Sequence, residues 1–228
     1  MPLPTRIGRL RPPVLCFVVS RETVKGGDIE EAVRQAVAGG VNLVQLREPD
    51  AGAGELLELT RKLKAATRGR ALLIVNDRID VANAAEVDGV QIPEDGLPTR
   101  AARGLVGRYN VIGRSVHDLD VARAAIDEGA DFALVGTIYK STSHPDVKPA
   151  GVKLIEDITK DSSFPVLAIG GITADKVEEV VKAGAAGVAV VSAIGGSEDM
   201  KAAAEELSKA LKEAWEARLS AGTTTASA

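Results

Sequence analysis

The stretch "FPVLAIGGITADKVEEVVKAGAAGVAVVSA", residues 164–193, holds the fold in miniature. An apolar run, 164–170, stops at a pair of glycines. An amphipathic stretch, "ADKVEEVVKAGAAG", follows, and a second apolar run, 187–193, completes the unit. Both runs are apolar on both faces, as in a strand of a sheet covered on each side. The segment between them has helical spacing and closes on the Gly expected just past a helix C-terminus. Strand, helix and strand in that order make a βαβ unit, and its strands are parallel.

The same unit recurs along the chain. Further apolar runs lie at 14–19, 41–46, 71–76, 88–92, 110–116 and 131–136, separated by stretches such as "IEEAVRQAVAGG" and "ELLELTRKLKAATRG". Eight repeats favour a single (β/α)8 TIM barrel over an open doubly wound sheet. No G-x-G-x-x-G follows the first run, which counts against a dinucleotide fold. The weakest helical pattern is "EDGLPTRAARGLVGRY", after the fourth strand. A final helix over about 198–218 places Leu207, Leu211 and Trp215 on one face. The reading is one barrel domain over 1–218 and a disordered, low-complexity tail, "SAGTTTASA", within 219–228.

Composition narrows the function. Apolar residues make up 45% of the chain and aromatic ones 3%, so Val, Ile, Leu and Ala must build the core. A formal charge of −4 gives no basic surface for nucleic acid. Cys16 is the lone cysteine, which rules out an intrachain disulfide and suits a reducing, cytoplasmic setting. No apolar run is long enough to span a membrane, and the basic start "MPLPTRIGRLRPP" lacks the apolar stretch of a signal peptide.

In a barrel of this kind the chemistry sits at the C-terminal ends of the strands. The polar residues there are Gln45, Arg47, Asn76, Asp77, Gln91, Arg114, Ser115 and His117, then Thr137, Ser141, Thr142, Ser143 and His144. Both histidines of the chain fall on this face. By strand parity Gln45 shares a side with Arg47, and Ser115 with His117. Arg47 needs an anion, which is either a substrate or one of Asp77, Glu94 and Asp95. His117 is either structural or a proton shuttle suited to neutral pH. Gly170 and Gly171 follow strand seven, and Val191, Ser192, Gly195 and Gly196 follow strand eight. Loops in these two places commonly bind phosphate through backbone N–H groups, although glycines also serve plain tight turns. Two histidines and one cysteine offer no zinc spacing. Asp77 with Glu94 or Asp95 has the oxygen ligands for Mg²⁺, as it has for ordinary salt bridges.

The segments "VQLRE", "VNDRIDVANAAEVDGVQI", "GADFALVGTIY" and "PVLAIGGITADKVEEVVKAGAAGVAVVSAI" resemble the thiamine-phosphate synthase superfamily from strand one through strand eight. That resemblance implies a (β/α)8 barrel, a phosphorylated thiazole ligand and a homo-oligomer. The synthase branch joins a pyrimidine diphosphate to a thiazole phosphate, with a Q-x-R-x-K, an Asp-held Mg²⁺ and a T-x-T-K. Here Pro49 stands in place of the first lysine and His144 in place of the second. Gly96 falls where a metal-binding Asp is expected, unless a one-residue shift brings in Asp95, while Asp77 is kept. The thiazole tautomerase branch aromatises a carboxylated thiazole phosphate by moving a proton, and "IGRSVH" is similar to its pattern.

The tautomerase reading therefore comes first, with no metal. His117 is its acid–base group, and Gly170, Gly171, Val191 and Ser192 hold the phosphate. Arg47 faces an anionic group, while Gln45, Asn76 and Ser115 line the ring. The alternatives are a divergent synthase using Asp77 and Mg²⁺, with Arg47, Arg114 or Lys140 replacing the lost lysines, and a non-catalytic barrel that binds thiazole or thiamine phosphates. The long excursion over 139–151 has the length of a lid.

Overall fold

The computed structural model describes residues 10–141, 146–160 and 162–225. Eight strands run in chain order: β1 Val14–Val19, β2 Leu43–Leu46, β3 Leu72–Asn76, β4 Gly89–Ile92, β5 Val111–Val116, β6 Phe132–Val135, β7 Val166–Ile169 and β8 Gly187–Val190. All neighbours pair in parallel, and β1 bonds to both β2 and β8, so the sheet closes into one barrel. The helices are α1 Ile29–Ala38, α2 Ala53–Thr67, α3 Ile79–Ala85, α4 Thr99–Val106, α5 Leu119–Asp127, α6 Lys153–Thr159, α7 Val177–Lys182, α8 Ser192–Gly195 and α9 Met200–Thr225. Among the described residues, no helix is long and apolar enough to cross a membrane.

The alternation along each strand separates two cores. Val14, Cys16, Val18, Leu43, Ile74, Val111, Phe132, Leu134, Leu167 and Ala189 fill the barrel's interior. The intervening residues, such as Leu15, Phe17, Val44, Leu73 and Val135, pack outward with Val33, Leu56, Leu63 and Val180 of the helices. Burial on both faces is why the strands read as unbroken apolar runs. The interior accommodates one large ring because a facing position lacks a side chain. A Cβ at Gly113 would stand 2.3 Å from the Phe132 ring and 2.1 Å from Gln91 Oε1.

Strand boundaries differ from the sequence pattern, while the helices follow it. Most strands are shorter than their apolar runs, β7 and β8 above all, and β8 ends at Val190 because Val191 turns out of extended geometry at φ −114° and ψ −85°. Val191, Ser192 and Ala193 thus form a turn and the start of α8. The weakly patterned segment after β4 does form a helix, α4, with Ala102 and Val106 buried. The last helix buries Leu207 and Leu211 and half-buries Trp215.

The expected disordered tail is corrected in part, since α9 continues past residue 218 to Thr225. Extending an existing helix adds one backbone bond per residue fixed, and Ser220 Oγ donates to Glu216 O one turn back. Residues 226–228 of that tail lie outside the described ones.

Candidate active site at the barrel mouth

The strands deliver an inner tier of polar side chains near their C-terminal ends. Gln45 is buried and its Nε2 donates to Asn76 Oδ1 at 3.1 Å. Gln91 is also buried, with Nε2 donating to Ser115 Oγ at 3.0 Å. Three of the four are residues the sequence reading assigned to the ring. Gln91, which it placed on this face but gave no role, completes the tier, and strand parity was the signal that could have found it. Gln91 Oε1 has no hydrogen-bond partner among the described residues. Buried polar atoms nearly always have one, so this oxygen stands out as an acceptor inside the barrel.

Above that tier the charged groups separate. Arg47 follows β2, its backbone N–H bonded to Val19 O, and its exposed side chain makes no ion pair among the described residues. None of the three acids open as its partner, Asp77, Glu94 and Asp95, forms an ion pair with it. Glu94 lies in the loop after β4 and meets His117, its Oε2 against Nδ1 of the ring. Asp77 sits at φ 59°, a left-handed conformation that Asp tolerates better than most residues, with its N–H bonded to Gln91 O. Arg78 beside it grips Asp80 through both Nε and Nη2, and that hydrogen bonding lowers the Asp80 carboxyl below its ordinary range. Asp77 therefore keeps an exposed carboxylate without a hydrogen bond or ion pair among the described residues.

The glycines after β7 serve the turn itself as well as any ligand. Gly170 and Gly171 take φ 100° and 64°, and a Cβ on Gly171 would lie 2.4 Å from Lys140 O. Tyr139 N bonds to Gly170 O and Ile138 N to Ile169 O, so the chain leaving β6 lies directly against this turn. The sequence reading missed Lys176, whose Nζ donates to Gly171 O at 2.8 Å and lies 4.7 Å from the centre of the Tyr139 ring. Its ammonium brings a positive charge beside the glycine turn. Burial, reinforced by the Glu179 carboxylate it donates to, pushes the Tyr139 hydroxyl up, so it remains a protonated donor. After β8, Val191 O accepts from Gly195 N at 2.9 Å, which folds the short α8 with Ser192 exposed at its start.

Not every expected residue is placed here. Thr142, Ser143 and His144 lie outside the described residues. The feet of the excursion over 139–151 are pinned together, with Ala150 N bonded to Thr137 O and Gly151 N to Ile138 O. Arg114, considered as a substitute for a missing lysine, instead donates to Leu97 O and Glu94 O. Among the described residues no three His, Cys, Asp or Glu groups gather as a metal site. Mg²⁺, however, is often held by one or two carboxylates together with substrate phosphates. Asp77, with Asp95 exposed in the loop after β4, fits that donor requirement.

Residues 15–194, the barrel from β1 into α8, match the family described as thiamine monophosphate synthase. The chain belongs to that family. It is 42% identical over 190 residues to the thiamine-phosphate synthase of Anaeromyxobacter dehalogenans (strain 2CP-C), covering 83% of this chain and 86% of the relative. The thiamine-phosphate synthase of Alkaliphilus oremlandii (strain OhILAs) is 36% identical over 199 residues, 87% of this chain and 95% of that protein. Among solved structures, the thiamine phosphate pyrophosphorylase from Pyrococcus furiosus superposes with a TM-score of 0.82 at 34% identity, covering 91% and 98% of the two chains. The family member described here thus shares its barrel with relatives named for the synthase. The finer placement in a tautomerase branch rests on the local segments "VQIP" and "IGRSVH" and on the departures from the synthase lysines.

Proposed function

We propose that this chain is a thiamine-phosphate synthase that joins a pyrimidine diphosphate to a thiazole phosphate. The observation that carries the reading is the charge arrangement at the mouth. Arg47 and Asp77 follow neighbouring strands, and neither forms an ion pair among the described residues. A departing diphosphate has use for both: the guanidinium stabilises charge developing on the phosphate oxygens, and the carboxylate would help hold Mg²⁺, which would supply further neutralising charge when bound. The absence of the Q-x-R-x-K lysine at Pro49 does not remove this capacity, since a guanidinium binds phosphate as a bidentate fork. The synthase names of relatives at 36–42% identity over most of their length support the reading. The turns at Gly170–Gly171 and Val191–Ser192, with Lys176 alongside, suit the thiazole phosphate. Gln45, Asn76, Gln91 and Ser115 offer hydrogen bonds to the rings.

A second reading, thiazole tautomerase, is favoured by one specific observation. His117 pairs with the carboxylate of Glu94, an arrangement suited to proton transfer and idle in a purely cationic diphosphate site. In this reaction His117 removes a proton from the non-aromatic thiazole and returns it elsewhere, Arg47 binds the substrate carboxylate, and no metal is required.

A paired assay on the purified chain decides between them. One arm supplies pyrimidine diphosphate and thiazole phosphate, and the other the carboxylated thiazole phosphate tautomer, each with Mg²⁺ and with EDTA. Coupling that EDTA abolishes is the expected result. Aromatisation indifferent to EDTA, without coupling, replaces the first reading by the second. Binding without turnover in either arm leaves a phosphate-binding barrel and overturns both.

A further inference from the structure

We infer that Glu94 and Arg114 are positioning residues for His117, forming a brace that selects the atom through which the imidazole exchanges protons. The inference rests on the barrel mouth being the site, not on which of the two reactions runs there. Arg114 lies within β5, and its guanidinium reaches the loop that follows β4. Nη1 donates to Leu97 O at 2.7 Å and Nη2 to Glu94 O at 2.8 Å. Two bonds from one rigid planar group to carbonyls three residues apart hold that loop as a fixed arch. The arch is tightened by Gly96 N donating to Pro93 O at 3.0 Å. Arg114 makes no ion pair among the described residues, so its donors serve backbone rather than an acid.

The clamped loop then presents Glu94 to the same strand's end. His117 follows β5 directly, and Asp118 after it caps α5 through Oδ1 accepting from Val121 N at 2.8 Å. The ring is thus attached to a strand on one side and a capped helix on the other, and its Nδ1 meets the Glu94 carboxylate. A carboxylate accepts and never donates when ionised, so Nδ1 must carry the proton. The neutral ring is thereby held with its lone pair on Nε2, the atom left to accept a proton. In "GRSVH", the first polar residue holds the loop and the last receives what the loop carries.

The test reads the tautomer without substrate, so failure of either proposed reaction leaves it intact. The chain has two histidines, and His144→Gln leaves one ring to observe. Long-range ¹H–¹⁵N spectra of the ¹⁵N-labelled variant are recorded at about pH 9, where an ordinary imidazole is neutral. The expected result is a protonated-type shift at Nδ1 and an unprotonated-type shift at Nε2. Adding Glu94→Ala or Arg114→Met should move both shifts toward the average of exchanging tautomers, with the thermal midpoint nearly unchanged. Should Arg114→Met not fold, Arg114→Lys keeps the charge, loses the fork and reads the same signal. A single fixed tautomer that survives loss of Glu94 overturns the inference, as does a proton found on Nε2. A tautomer indifferent to both Arg114 variants removes Arg114 from the brace.

Discussion

Arg47 and Asp77 stand at the ends of the neighbouring strands β2 and β3, and they do not form an ion pair. Just below them Gln45 and Asn76, from the same two strands, are joined by a hydrogen bond. The amide pair is satisfied within the protein, while Arg47 and Asp77 above it keep exposed charged ends among the described residues.

Replacing Arg47 by Ala should lower kcat/KM for the diphosphate substrate by about 10- to 100-fold, the worth of a charge-assisted hydrogen bond of about 1.5–3 kcal/mol. Arg47→Lys should recover only part of the loss, because an ammonium lacks the bidentate fork. Steady-state kinetics with each variant checks this, and an unchanged kcat/KM in Arg47→Ala would remove the residue from the site.

Asp77→Asn separates charge from conformation. Asn tolerates the left-handed backbone at φ 59° as Asp does, so the thermal midpoint should stay near the parent's while the Mg²⁺ required for half-maximal coupling rises. Asp77→Val should instead destabilise the fold by about 1–2 kcal/mol, since a β-branched residue is strained there. Equal metal dependence in Asp77→Asn and parent would exclude the carboxylate as a ligand.

His117→Ala should cut any tautomerase turnover by about 10²- to 10⁴-fold with KM nearly unchanged, the usual scale for a lost acid–base group. Coupling carried by Arg47 and Asp77 should persist in the same variant. Measuring both reactions on one preparation assigns His117 to the chemistry it serves.

Gly113→Ala should destabilise the barrel, because the added methyl meets both the Phe132 ring and Gln91. Overpacking of this kind costs about 1–3 kcal/mol, and a chain of this size loses about 2–4 °C of melting temperature per kcal/mol. Calorimetry reads the shift, and a melting temperature at or above the parent's would contradict the packing.

Burial in the barrel interior pushes the Cys16 thiol well above its ordinary range. The folded chain keeps this proton, while an unfolded chain releases it near pH 8.5. The stability contribution is therefore complete below that pH and declines as pH rises above it, by up to about 1.4 kcal/mol per unit. Urea midpoints of the parent and Cys16→Ala should converge between pH 8 and pH 10. In the folded state a thiol reagent should leave Cys16 unmodified until denaturant is added.

The barrel was legible in the sequence because strands buried on both faces must be apolar throughout, and helices over them must be amphipathic. Both patterns are local, and eight repeats left little choice of closure. Position at the strand ends likewise placed Gln45, Asn76, Ser115 and His117 at one mouth, and parity put Gln45 on the side of Arg47 and Ser115 on the side of His117. Pairing between loops was not legible. Glu94 was one of three acids open as a partner for Arg47, yet Arg114 donates to its backbone and the carboxylate meets His117. Nothing in the local pattern singled out Lys176, whose amine folds back onto Gly171. The periodicity of one strand fixes which way its side chains point. Which charge meets which depends on strand stagger and on where each loop crosses the mouth, and only the closed barrel decides that.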